Sequence, residues 1–275
     1  MSLATVTTLR RTLHEWAHRA GNQKFLRDDQ EAQLRRVLKD PNRRAQAHVA
    51  GWMLGTWHLG SGMLRVLEGD VAGFDEARQG QSLRRASLLA RARHKSGPRR
   101  GTRGTKVWLP FSLLHGAWTS LLGLALHDPG AEPLYDFMRG LPDIAFSEKD
   151  SVAFFTRDLL RLRDGRRINM STRLGPFEEV MQHFHSDERL FGRAMADLLD
   201  WHLQEARGTG KKFDDPGCRL YPVEAIAMSN VRDWLELPKV RIDHPLMHSN
   251  LGQMTPQTPW PSHELAAALE RQARA

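Results

Sequence analysis

The stretch DERLFGRAMADLLDWHLQEAR, Asp187 to Arg207, decides the fold class. Leu190, Phe191, Ala194, Met195, Leu198 and Trp201 recur at three- and four-residue steps, which predicts an amphipathic helix with one apolar face. Gly208-Thr209-Gly210 stops it. Outward from this segment the same period returns and alternating strand patterns are nearly absent. Downstream, Pro222 opens a helix that runs to about Leu237 through Ile226, Ala227, Met228, Val231, Trp234 and Leu235. Lys239 to Ile242 reads as one short strand. Ser262 to Arg274 reads as a terminal helix with Ser262 as its N-cap. Upstream, Glu148 to Arg163 is helical and ends at Asp164-Gly165. Val71 to Lys95 is helical and ends at Ser96-Gly97-Pro98. Asn42 to Leu67 follows Pro41 and carries Val49, Trp52, Met53, Thr56, Gly60 and Met63 at helical steps. Gly51, Gly55 and Gly62 lower helix propensity there, so they mark the close approach of a neighbouring helix.

Val107 to His127 holds no Asp, Glu, Lys or Arg and is about as long as a bilayer is thick. Pro110, Ser112, His115, Gly116, Thr119 and Ser120 make a central buried helix the better reading. The expectation is an all-α chain, an irregular bundle of about eight to ten helices. We read residues 1–275 as a single domain, with a subdivision near 143–150 left open at Leu141-Pro142-Asp143.

The 275 residues carry a net charge of +8, which is not spread evenly. Residues 1–104 hold twenty basic and nine acidic side chains, whereas the remainder is slightly acidic. Between Ala77 and Lys106 ten basic residues occur without an acid. On a helix, Arg84, Arg91 and Lys95 project within about 20° of one direction. With Arg99, Arg100, Arg103 and Trp108 beyond them, they form the candidate partner-binding set, suited to carboxylates or phosphates. A solvated face is the plain alternative.

Motifs for chemistry are sparse. His14-Glu15-Trp16-Ala17-His18 fits the H-E-x-x-H zinc pattern, but Arg19 puts a cation directly after it, and it reads as the solvated face of an N-terminal helix. His183, His185, His202 with Glu205, and Asp243-His244-Pro245 with His248 lack a third ligand at metal spacing. Cys218 is the only cysteine, and the neighbouring Asp214 and Asp215 disfavour its thiolate. There is no G-x-S-x-G and no phosphate loop. No catalytic residue, metal or cofactor is assigned, and the expected class is not an enzyme. The polar start, Met1 to Arg11, is unlike a secretory signal, and the lone cysteine fits a cytoplasmic setting.

Phe191 to His202, the glycine-rich gap, Tyr221 to Ala227 and Asp243 to Leu246 together resemble bacterial polymorphic-toxin immunity proteins of the immunity protein 49 type, over residues 150–250. The chain is also similar to the helical immunity proteins paired with nuclease toxins. The resemblance implies a cytoplasmic all-α protein that neutralises a cognate toxin by occluding it, and it carries no catalytic residues. Immunity proteins that block nucleases are often acidic, so the basic half here suits a toxin with an acidic contact surface. The alternative is a nucleic-acid-associated helical protein using residues 78–106.

Overall fold

The computed structural model describes residues 3–40, 43, 46–94, 111–168, 172–256 and 258–274. Among these residues the chain is all-α, with no strand. We label the helices of eight or more residues α1 (Leu3–His18), α2 (Asp29–Lys39), α3 (Ala47–Leu67), α4 (Gly73–His94), α5 (Leu113–Leu126), α6 (Glu132–Arg139), α7 (Ser151–Arg163), α8 (Glu188–Glu205), α9 (Val223–Trp234) and α10 (Glu264–Arg274). A π-helical turn, Gln23–Asp28, leads directly into α2.

Two helices organise the N-terminal part. The chain reverses at Glu68-Gly69-Asp70, where Gly69 takes φ 98° and the Asp70 N–H donates to the Arg65 carbonyl at 3.0 Å. That turn lays α4 back along α3, and a glycine seam sets the spacing. A Cβ on Gly62 would lie 2.5 Å from the Gly73 carbonyl oxygen, and one on Gly80 would lie 2.5 Å from the Leu59 nitrogen. Backbone meets backbone, which no larger residue permits. The expectation drawn from Gly55 and Gly62 is therefore met on both helices, since Gly55 faces Gly80.

Helix α10 returns from the far end of the chain to pack on α4. Leu265, Ala266 and Leu269 fill a small core with Leu34, Val37, Leu54 and Leu83. A larger buried cluster runs from Leu9 to Leu251 and includes Trp118, Phe155, Phe177, Phe191 and Phe213. Each such side chain contributes roughly 1.5–3 kcal/mol when removed from water. Helix α5 sits at its centre against α7 and α9, buried over most of its length. No helix among the described residues is long and apolar enough to cross a membrane.

Several expectations need correction. Lys239 to Ile242 form irregular chain rather than a strand. Helix α3 begins at Ala47 and α5 at Leu113, later than expected; Pro41, Asn42 and 107–110 lie outside the described residues. Leu190, Trp234 and Val49, which follow the helical period of their segments, are 40%, 49% and 48% exposed. Leu190 stands in the first turn of α8, where Asp187 caps the helix by accepting its N–H at 3.0 Å. Trp234 lies at the end of α9 with the Arg163 guanidinium 4.6 Å above its ring.

Candidate functional site

Of the basic stretch, the described part from Arg78 to Arg85 is an interior feature. Helix α4 is enclosed by α3, α5 and α10, so side chains on nearly every side of it are buried. Its apolar residues cannot satisfy that environment alone, and its arginines reach carboxylates contributed from elsewhere in the chain. Arg84, only 1% exposed, forks onto both oxygens of Asp215, with Nη1 donating at 3.2 Å and Nη2 at 2.5 Å. Arg85 donates to Asp128, and its Nη2 reaches Glu270 at 2.5 Å. Arg78 donates to the Thr258 carbonyl at 2.8 Å and lies 4.6 Å over the Trp260 ring. Gln81 completes the set by donating to the Thr119 carbonyl at 2.8 Å. Buried guanidiniums need this complement, because an unpaired one costs several kcal/mol.

Arg84 is thus not a surface contact, and the stripe expected from Arg84, Arg91 and Lys95 is interrupted at its first member. Arg91 is half-buried. Lys95, Arg99, Arg100, Arg103 and Trp108 lie outside the described residues.

What Arg84 and Arg91 share is a small site between α3, α4 and the start of α5. The Trp52 indole carries the Arg84 guanidinium at 4.0 Å and stacks on the His115 ring at 4.3 Å. Arg91, Ser87 and Leu88 from α4 and His48, Val49 and Met53 from α3 line the same cavity, which holds about 140 Å³. The Arg91 Nε is buried without a hydrogen-bond partner. Burial holds the His115 imidazole below its ordinary pKa, and the Arg84 charge adds to this. His115 is therefore neutral near pH 7 and stacks as an aromatic rather than as a cation. Arg91 is marked in the sequence by its basic neighbours, whereas Trp52, Val49 and His115 stand far from it along the chain and carry no such mark.

The histidine motifs resolve individually. His14 and His18 stack at 4.0 Å on the exposed side of α1, and His18 Nδ1 lies 2.9 Å from the His14 carbonyl oxygen. His183 turns to Ser186 at 3.3 Å, while His185 sets its ring against Phe184. His202 does not meet Glu205. It is fully buried, with Nδ1 2.6 Å from Glu224 and Nε2 3.2 Å from the Arg219 carbonyl oxygen, so each ring nitrogen has an oxygen neighbour. His244 faces Asp200 at 3.5 Å and His248 faces Asp243 at 3.3 Å. Among the described residues, no group of three or more His, Cys, Asp or Glu side chains is placed to hold a metal ion. Cys218 is buried, and burial pushes its thiol well above the ordinary value, with the Asp215 charge adding.

Compared with protein-family models, with curated proteins and with solved structures, the chain finds no significant match in any of the three.

Proposed function

We propose that this protein is a binding protein of the immunity type, which neutralises a cognate bacterial toxin by docking on it, and that the Trp52 cavity is the centre of the docking face. The observation that carries the reading is the size and lining of that cavity. At about 140 Å³ it falls below the roughly 300–1,000 Å³ usual for small-molecule sites and suits a single protein side chain. Trp and Arg dominate the energetic centres of protein interfaces, and Trp52 here is pre-positioned by Arg84 and His115. Val49, half-exposed beside it, supplies the apolar edge. Arg91 gives the face a positive charge, which calls for a carboxylate on the toxin.

The immunity class itself rests on the resemblance of residues 191–202, 221–227 and 243–246. In the fold Phe191, Met195, Leu198, Val223, Ala227 and Leu246 of these stretches are buried, with Trp201 and Ile226 partly so. They are scaffold, so a contact surface lies elsewhere. Such a protein acts in the cytoplasm and needs no cofactor. The nucleic-acid alternative loses ground because Arg78, Arg84 and Arg85 are engaged internally and cannot meet phosphates.

The test is growth rescue. The products of the neighbouring genes are each expressed in bacterial cells, and any that arrests growth is expressed again with this protein, alongside Val49→Asp and Arg91→Glu. Rescue by the native chain, lost in both variants while their melting is unchanged, supports the reading. A hot-spot loss of about 2 kcal/mol corresponds to a roughly 30-fold weaker complex. Absence of rescue, or binding to nonspecific DNA with a steep salt slope, overturns it.

A further inference from the structure

A second cavity, at the ends of α7 and α9, has a different character. Both helices close in the same way. At α7 the Gly165 N–H donates to the Leu162 carbonyl at 2.8 Å and the Arg166 N–H to the Arg161 carbonyl at 2.9 Å, with Gly165 at φ 69°. At α9 the Glu236 N–H donates to the Asp233 carbonyl at 3.1 Å and the Leu237 N–H to the Arg232 carbonyl at 2.9 Å, with Glu236 at φ 56°. Glycine commonly takes this left-handed position, and a glutamate held there is strained. The strained residue turns the chain so that Leu235 and Leu237, on either side of it, both line the cavity.

The cavity holds about 510 Å³, within the range of small-molecule sites. Its apolar lining is mainly aliphatic, from Leu162, Ile168, Met181, Leu235 and Leu237, with the rings of Phe184 and His185 and the Gln182 amide beside it. Its charged lining is of one sign. Arg166 and Arg167 are exposed, and among the described residues no carboxylate lines the cavity. Asp164, the nearest acid in the chain, is engaged by Arg139. Among the described residues neither Arg166 nor Arg167 has a side-chain ion pair or hydrogen bond.

We propose that this cleft binds an amphiphilic carboxylate, an unbranched alkyl chain ending in an anionic head. The aliphatic wall takes the chain, with Met181 adapting to its shape. The Arg166 and Arg167 forks take the carboxylate, for which guanidinium geometry is suited. The lining offers the head no acid to repel it. This site is separate from the Trp52 cavity and does not depend on the toxin-binding reading.

Octanoate, 1-octanol and acetate, each titrated into the full chain below micelle-forming concentrations and followed by amide chemical shifts, test both halves of the recognition. Saturable shifts near Leu162, Arg166 and Leu237 are expected with octanoate, at an affinity at least tenfold above that of octanol, and none with acetate. The variant Arg166→Ser/Arg167→Ser, altered only at exposed positions, should lose at least tenfold for octanoate with its melting unchanged. Equal binding of octanoate and octanol, no saturable binding of octanoate, or a serine variant that binds octanoate as the native chain does, each overturns the proposal. In the last case the arginines serve only the α7 helix end.

Discussion

Two arginine-rich regions of this molecule meet opposite fates. Arg78, Arg84 and Arg85 on α4 stand in the part of the chain with the greatest excess of positive charge, and they are 6%, 1% and 6% exposed. Arg166 and Arg167, from the slightly acidic part, are exposed and have no carboxylate partner among the described residues. Charge counted along the chain therefore does not give the charge of the surface. A helix enclosed on every side turns its arginines into internal ties. The acids that answer Arg84 and Arg85 come from distant positions in the later part of the chain, Asp215 for the first and Asp128 and Glu270 for the second, whereas Arg78 has Asp75 on its own helix at 3.5 Å.

The contrast breaks most visibly at Asp128, which accepts from Arg85 and from the Gly130 N–H at 2.9 Å. Asp128→Asn should cost about 3–5 kcal/mol in denaturant unfolding, the usual loss when one partner of a buried pair goes. Arg167→Ser should stay within about 0.5 kcal/mol, as exposed substitutions do. A similar loss for both would erase the distinction.

The glycine seam, which leaves α4 no free face toward α3, gives the next effect. Helix propensity alone predicts that Gly80→Ala stabilises by roughly 1 kcal/mol. Contact with the Leu59 nitrogen and the Gly55 carbonyl oxygen at 2.5 and 2.6 Å reverses the sign, so a loss of about 1–3 kcal/mol is expected in the same experiment. A gain would mean that the two helices separate easily.

Acid acts on the buried histidines of the fold. Burial, and then the Arg84 and Arg78 charges respectively, hold His115 and His127 below their ordinary pKa. Burial likewise lowers His244, and takes His263 to about 4. In the unfolded chain these groups protonate near the ordinary histidine value, about 6.5, before they do so in the fold. The unfolded state then binds more protons, and stability falls as pH drops from about 7 toward 4. A melting temperature that is flat or rising over that window would contradict the burial of these rings. The smallest effect concerns Glu236. Glu236→Gly should raise stability by up to about 1 kcal/mol, because glycine adopts the left-handed turn without strain.

Much of the helix layout is legible in the sequence. Period and breakers coincide around α8, and Gly69 and Gly165 adopt the positive φ that their positions as helix stops imply. The turns at His127 and Glu236 lack that signal, because neither is glycine. Val49 and Trp234 follow the helical period yet lie half-exposed, since period gives a face and not what covers it. The interior of α4 is the hardest part to read. Its polar residues carry no apolar stripe, and only the distant acids reveal that it is buried. Of the candidate site, Arg91 stands out as a member of the basic stretch, whereas Trp52 and His115 meet only after three helices assemble.

If Arg84, like Arg78 and Arg85, holds the fold together instead of facing a partner, a double-mutant cycle on Arg84 and Asp215 will show it. Denaturant unfolding of the native chain, Arg84→Met, Asp215→Leu and the double variant measures the coupling between the two side chains. We predict that each single variant loses about 3–5 kcal/mol and that the double variant recovers much of this, because no unpaired buried charge remains. Two single losses below about 1 kcal/mol that simply add would contradict the claim and return Arg84 to the surface.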